Sequence, residues 1–316
     1  MPVIPVFKPL GPTSHDVVAS ARRQLRTRKV GHAGTLDPLA SGVLVLLTEE
    51  HTRLSKFLTG SEKSYLAWVS FGATTETLDL EGPLVPAAPV DPDPASLADR
   101  LEAALPAFLS LSEQAPPGYS AVKRDGVKSY EAARRGEVPD LPPRPAGYSR
   151  IVLLGTAERA ADLPASFSPD HSGAWRPDPH VLAFERPPDL AELPSALFFL
   201  TVQAGTYVRA FARDLGAALG TGAHLSGLVR TQAGRIGLAQ TVEADALEGA
   251  LGTDPVAALG LQVIRLEGPL AERVRQGQRL HPDFEGMAVL TDPDGQIAAV
   301  AEAVGGRMKL HSVWPR

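Results

Sequence analysis

Residues 31–42 read Gly31-His32-Ala33-Gly34-Thr35-Leu36-Asp37-Pro38-Leu39-Ala40-Ser41-Gly42, and Val43-Leu44-Val45-Leu46-Leu47 follows without a break. Three glycines in twelve residues permit tight turns and close backbone approach. Pro38 disfavours the α region for the residue before it, which predicts an extended Asp37. The apolar run behind the loop predicts a buried strand. A carboxylate thus sits on a short, stiff loop whose next element is anchored in a core, and a rigid scaffold presents reactive side chains in this way. The same residues also describe an ordinary turn, since Asp-Pro beside glycine is common turn chemistry. Composition alone favours the turn.

Outward from this stretch, a length of 316 residues exceeds what one core usually serves, so two domains are expected. A hydrophobic share of 44% and a charged share of 21% describe ordinary globular composition. No apolar run approaches the ~20 residues of a membrane span. Met1-Pro2-Val3-Ile4-Pro5 lacks the basic and apolar regions of a secretory signal. The chain has no cysteine, which excludes disulfides, thiolate nucleophiles and zinc–thiolate sites and fits a cytoplasmic address. His15, Asp16, His32 and Asp37 could ligate a metal, but no tight ligand spacing such as HExxH occurs, so no metal is expected.

A net charge of −5 argues against a general nucleic-acid binder. Its distribution argues the other way. Windows 8–53, 116–150 and 203–235 hold 18 of the 31 Lys and Arg but 9 of the 36 Asp and Glu. A basic face on an acidic chain can hold phosphates, although uneven charge is common in any chain.

Residues 3–7 predict a short strand, with Pro5 suggesting a sheet edge. Thr13 or Ser14 can cap a helix from Asp16 to about Leu25. Further short elements are a helix over 52–58, a strand over 64–72, a polar loop 72–82 containing Asp79, and a flexible link over 83–94. A helix is expected from Pro94 to Leu105 and a short basic one over 129–136. Residues 155–196 are rich in Pro, Ala, Asp and Ser with little periodicity, and predict an exposed, irregular, mobile excursion. A strand over 197–203 precedes a helix to about Leu219, ended by Gly220–Gly222. An Ala- and Leu-rich, helix-compatible stretch runs to about 262. Short β-like pieces follow at 286–290, 297–301 and 308–314, with Asp292-Pro293-Asp294-Gly295 as a hairpin turn.

The string from Gly31 to Gly42 resembles the signature loop of the TruB family of tRNA pseudouridine synthases. Three further blocks resemble the same family: Lys63-Ser64-Tyr65, the run from Pro116 to Lys123 with Tyr130 to Arg134, and Gly205 to Arg209 with Leu225 to Arg230. The resemblance covers roughly residues 3–155 and 197–245. It implies an α+β catalytic fold over 1–250 with a central mixed, mainly antiparallel sheet and an RNA-contacting insertion at about 112–150. It also implies a small β-rich PUA-like RNA-binding domain over 260–316. A 155–196 excursion of this length departs from the family pattern.

The implied reaction is isomerisation of uridine 55 in the TΨC loop of tRNA. The bond from ribose C1′ to uracil N1 breaks and one from C1′ to C5 forms, with no redox change, so no cofactor is expected. One carboxylate must attack the sugar or the base, or take a ribose proton; the resemblance gives this place to Asp37. It gives Arg209 the task of keeping that carboxylate anionic and aligned. It places Tyr65 against the flipped uracil and Leu228 on an apolar wall. His32 is expected to stack in the RNA loop, and Lys8 and Tyr207 to line the pocket. Lys123, Arg134 and Arg230 are expected to contact RNA. Tyr119 and Tyr130 could stack on bases or simply pack. A monomer acting on the TΨC arm, with no membrane partner, is expected. The alternatives are a non-catalytic tRNA-binding or folding protein and a related synthase for another RNA.

Overall fold

The strand behind the loop runs Ala40–Thr48 and is buried along its whole length. Its side chains alternate between two cores, because successive strand residues point to opposite faces. Leu44 and Leu46 enter one core, while Val43, Val45 and Leu47 enter the other. Lys63–Phe71 behaves likewise: Tyr65, Ala67, Val69 and Phe71 face the first core, and Leu66 and Trp68 face the opposite side.

In this computed structural model, residues 3–315 are described apart from 121–122, 125–126, 130–132, 134, 136–140, 182, 189 and 191. The described residues form a nine-stranded sheet. Its path runs Tyr148–Ala157, Ser195–Val202, Lys63–Phe71, Ala223–Ala233, Ala40–Thr48, Val3–Lys8 and finally Val242–Glu243. Two short strands, Val30–His32 and Ile236–Gly237, pair off this path. Ala223–Ala233 pairs in parallel with Ala40–Thr48, as does Val3–Lys8 with Val242–Glu243; the other pairs are antiparallel. The sheet is therefore mixed and mainly antiparallel. Val3–Lys8 is not its edge as Pro5 suggested. The two-residue strand pairs only at Val6 and Phe7, so Pro5's missing N–H costs that side no ladder bond.

Helices Ser14–Gln24, Pro94–Leu109 and Val208–Ala218 cover one face, through Val17, Val18, Leu97, Leu101, Phe211 and Leu215. Thr13 caps the first in a capping box with Asp16, worth about 0.5–2 kcal/mol. The second continues past the expected stop at Leu105. Pro106 forfeits one backbone bond in the final turns, while Phe108 buries its ring 5.3 Å from Phe211 and 6.3 Å from Tyr148.

The described residues between 158 and 194 form a cover on the opposite face of the sheet. Strands Phe167–Pro169 and Trp175–Pro177 pair as a hairpin. Leu163, Phe167 and Ala174 are buried against Trp68, Leu197 and Phe199. Phe167 meets Trp68 edge-on at 5.8 Å. A few large rings spaced by polar turns secure it, which a periodicity reading does not detect. The helix-compatible stretch is also largely irregular, with helix only at Pro255–Leu259 after the turn at Leu238–Gln240.

A four-stranded sheet ends the chain, in the order Gln262–Arg265, Gly286–Thr291, Ile297–Val304, Arg307–Val313. Helix Gly268–Arg275 packs on one side of it. From its other side Val289, Ile297, Val300 and Trp314 share a core with Val3, Val43, Val45, Leu54 and Leu58. No helix among the described residues is long and apolar enough to cross a membrane.

Candidate active site

The loop carrying Asp37 is fixed at both ends and from below. On entry, Val30–His32 pairs with the exit strand from Leu46 to Thr48, and Ala33 N donates to Val45 O at 2.9 Å. On exit, Arg230 lies opposite Gly42 in the parallel pair. A Cβ at Gly42 would lie 2.2 Å from the Arg230 carbonyl oxygen, and its φ is +105°, so only glycine serves there. In between, Ser14 Oγ donates to Leu36 O at 2.9 Å and accepts from Leu36 N at 2.8 Å. Gly11 N donates to Pro38 O at 2.9 Å.

Arg209, in the first turn of helix Val208–Ala218, brings its Nε to 2.9 Å from Oδ2 of Asp37. The same Nε lies 3.6 Å from Oδ2 of Asp79. Nη1 donates to Thr77 O at 2.8 Å and Nη2 to Tyr119 O at 2.9 Å. Four oxygens from three loops therefore fix one guanidinium plane. The two carboxylates are not equivalent. The Asp37 side chain is 36% exposed and that of Asp79 is 1% exposed. Burial pushes the Asp79 carboxyl above its ordinary range, opposed by the Thr77 hydroxyl and by Arg209. Asp79 thus stays inside as a brace, and Asp37 is the carboxylate a substrate can reach.

Tyr65, Leu228, Leu36 and Leu39 belong to one apolar cluster on the helix-bearing face. Tyr65 and Leu228 are 8% and 7% exposed. They form an apolar flank beside the loop, suited to a flat ring. Tyr207 precedes the Arg209 helix, and its N–H donates to Gln114 Oε1 at 3.0 Å. Burial raises its phenol, and Asp37 is among the charges that act on it. His32 is half-buried, with its ring edge-on to that of His15 at 5.6 Å. Burial and then His15 lower its pKa, which favours the neutral ring.

Two residues expected to face a ligand, Arg230 toward RNA and Lys8 in the pocket lining, are enclosed instead. Arg230 is 1% exposed. Its Nε donates to Val43 O at 2.7 Å, Nη1 to Thr35 O at 3.2 Å and Nη2 to Gly34 O at 3.0 Å. Lys8 is 0% exposed and donates to Ala40 O at 2.6 Å and Pro9 O at 2.9 Å. Burial lowers its pKa to about 8, opposed by the charge of Asp37. Both cations saturate loop carbonyls, so they support the loop rather than face a ligand. Lys123 lies on a two-residue strand paired with Val127–Lys128, and only its backbone is described. Arg134 and Tyr130 lie outside the described residues. Tyr119 turns its hydroxyl to Glu76 at 3.3 Å.

Asp79 lies in the segment that the sequence predicts only as a polar loop. Its signal was Thr77-Leu78-Asp79: the Thr77 hydroxyl donates to Asp79 Oδ1 at 2.6 Å, and Leu78 between them sits at φ +63°. A non-glycine residue in that region costs energy, and tertiary contacts must hold it there. Leu225 N does so, donating to Leu78 O at 2.9 Å. Gln114, which carries no signal in the sequence, ties the base of the insertion to Tyr148 and Tyr207.

Residues 22–171 match the family model described as TruB family pseudouridylate synthase, N-terminal domain. The tRNA pseudouridine synthase B of a Thermus thermophilus strain is 46% identical over 322 residues, covering 100% of this chain and 99% of the relative. That of Deinococcus deserti is 44% identical over 314 residues, covering 99% of this chain and 100% of the relative. A solved Cbf5-Nop10-Gar1 complex contains a chain of the same fold, with a TM-score of 0.66 at 22% identity, covering 100% of this chain and 85% of that one. Matched from end to end by these synthases, the chain belongs to the TruB family of pseudouridylate synthases.

Proposed function

We propose that this isomerase converts uridine 55 in the TΨC loop of tRNA to pseudouridine, with Asp37 as the reacting carboxylate. The observation that carries this reading is the 2.9 Å pairing of Arg209 with an Asp37 that remains 36% exposed while its neighbour Asp79 is enclosed. The relatives' shared name, tRNA pseudouridine synthase B, supports tRNA as the substrate.

The flipped nucleotide enters beside Tyr65 and Leu228, at an unstacking cost of a few kcal/mol. Asp37 engages the nucleoside, and the C1′–N1 bond breaks. The freed uracil turns against the apolar flank and presents C5. The C1′–C5 bond then forms, C5 gives up its proton, and N1 ends with one. Product and substrate are isomers, so the reaction calls for no cofactor. Arg209 fixes the direction and charge of the carboxylate, and pre-arranged charge of this kind is worth far more in a dry site than in water. His32 contacts the RNA loop beside the site as a neutral ring. The C-terminal sheet acts as a PUA-like RNA-binding unit, and the protein works as a cytoplasmic monomer.

A tRNA-folding protein without catalysis would not need a guanidinium braced by a buried aspartate against an exposed one. The test uses tRNA transcripts labelled with tritium at C5 of uridine. Release of tritium, with the converted position mapped to residue 55, is expected of wild type and not of Asp37→Asn. Release from another position, or equal release by the variant, would overturn the assignment.

A further inference from the structure

Two depressions of about 540 and 660 Å³ share Arg53 and Ser312, and together make one groove where segment 49–59 meets the C-terminal sheet. Thr52, Arg53, Ser55 and Lys56 form one wall; Arg275 and Ser312 lie on the other. Among the described residues no carboxylate lines it. Arg275 is already neutralised, since its Nη2 pairs with Asp292 at 2.8 Å and both are buried. Arg53 and Lys56 are different. Arg53 Nη1 donates to Val313 O at 2.5 Å, and Lys56 Nζ donates to His311 O at 2.7 Å. Among the described residues neither pairs with a carboxylate.

These two bonds do two things. They pin the charged ends to the last strand, Arg307–Val313, and so set them at the groove wall. They also leave donors over, because a guanidinium carries five N–H groups and an ammonium three. Two cations one helical turn apart, neither paired with a carboxylate among the described residues and both flanked by the Ser312 hydroxyl, suit phosphate oxygens, whereas Thr52 and Ser55 spend their hydroxyl protons on Glu49 O and His32 O. The groove is poor in the apolar anchors that a protein partner would use, since Val313 and Pro315 supply its apolar side chains among the described residues. Its near end touches the catalytic loop. Ser55 Oγ donates to His32 O at 3.2 Å, and the Thr52 methyl lies 3.9 Å from the place a Cβ on Gly31 would take.

We infer that this groove holds the sugar–phosphate backbone of a helical stem of the RNA whose nucleotide enters the Asp37 site. Arg53 and Lys56 are its phosphate contacts, and strand Arg307–Val313 is its second wall. The contact is independent of base sequence. The C-terminal sheet then contributes to RNA binding as half of a composite groove. The inference rests on the proposed tRNA substrate.

The test compares the full-length protein with an Arg53→Gln/Lys56→Gln double variant and with the charge-preserving Arg53→Lys/Lys56→Arg pair. Binding of a tRNA transcript is measured across a potassium chloride series. The double variant is expected to bind about tenfold more weakly near 0.1 M salt, with a log Kd against log salt slope shallower by roughly 1.4–1.8, the counterions that two phosphate contacts release. The charge-preserving pair is expected to keep the wild-type slope. Simple loosening of the junction would lower the melting temperature and weaken binding while the slope stayed the same; that result, or unchanged binding, would overturn the groove. Tritium release by wild type is followed in the same preparations. If wild type converts no uridine, the functional reading fails; if it converts uridine 55 while the double variant keeps its slope, only the groove fails.

Discussion

Arg209 stands at the mouth of the site and Arg230 stands beneath the loop, and each meets the segment that carries Asp37. Besides holding Thr77 O and Tyr119 O, Arg209 opposes charge with charge, facing Asp37 at 2.9 Å and Asp79 at 3.6 Å. Arg230 instead meets uncharged oxygens; its three bonds go to the carbonyls of Gly34, Thr35 and Val43. The difference separates chemistry from architecture. A guanidinium that faces an exposed carboxylate acts on what that carboxylate does. A guanidinium that caps backbone oxygens acts on where the loop lies. An enclosed carbonyl left without a partner costs about 1–3 kcal/mol, so three of them make Arg230 a matter of folding.

This contrast can be broken experimentally. Asp37→Asn should have the largest effect. It keeps the shape of the loop but removes the reacting carboxylate, so turnover is expected to fall on the order of 10⁴-fold or more while tRNA binding stays within a few-fold. Single-turnover tritium release and filter binding measure the two. Arg209→Lys comes next. A lysine supplies charge but not the fork that reaches Asp37, Thr77 O and Tyr119 O together, so kcat is expected to drop about 100-fold, more than the ~1–3 kcal/mol stability cost of a carbonyl left without its donor would explain. Were Arg209→Lys near wild type in rate, charge alone would suffice and the planar geometry would be incidental.

Arg230→Met should act the other way. It is expected to lower stability by about 3 kcal/mol, read as the urea midpoint, with activity falling in step with loop order. Loss of rate at unchanged stability would put Arg230 beside Arg209 in the chemistry and erase the contrast. Tyr65 tests the apolar flank on a smaller scale. Tyr65→Phe keeps a ring for stacking and Tyr65→Leu does not, so the leucine variant should lose about tenfold more activity, in line with a stacking contribution of about 1–3 kcal/mol. Equal losses would give the role to the hydroxyl.

Much of this site could be read before any coordinates. The Gly31–Gly42 string, the Thr13 cap, the strand through Tyr65 and the Asp292–Gly295 hairpin all depend on local chemistry, and each formed as expected. What escaped depends on which way a side chain points. Ala223–Ala233 is covered on both faces, so no polar and apolar alternation shows that Arg230 turns inward. Asp79 looked like one of several polar loop residues, because its meaning comes from a guanidinium 130 positions away in sequence. The 155–196 cover escaped because Phe167, Trp175 and Phe184 hold it at irregular spacing.

Lys8 offers the finest test of the same division. It is a support by position, yet its charge faces Asp37. Its pKa of about 8 in the fold stands below the ordinary 10.5, so the unfolded chain holds this proton more tightly. Below pH 8 the cost of a buried ammonium is fully present; from about 8 to 10.5 it is relieved, and stability should rise with pH by up to about 1.4 kcal/mol per unit from this group. Turnover should move the opposite way over the lower part of that range, by a few-fold, as the cation that faces Asp37 disappears. Lys8→Met removes the titration and should flatten both trends relative to wild type. If stability and turnover rose together through pH 8, the charge of Lys8 would have no part in how Asp37 works, and the loop's lower support would be neutral to its chemistry.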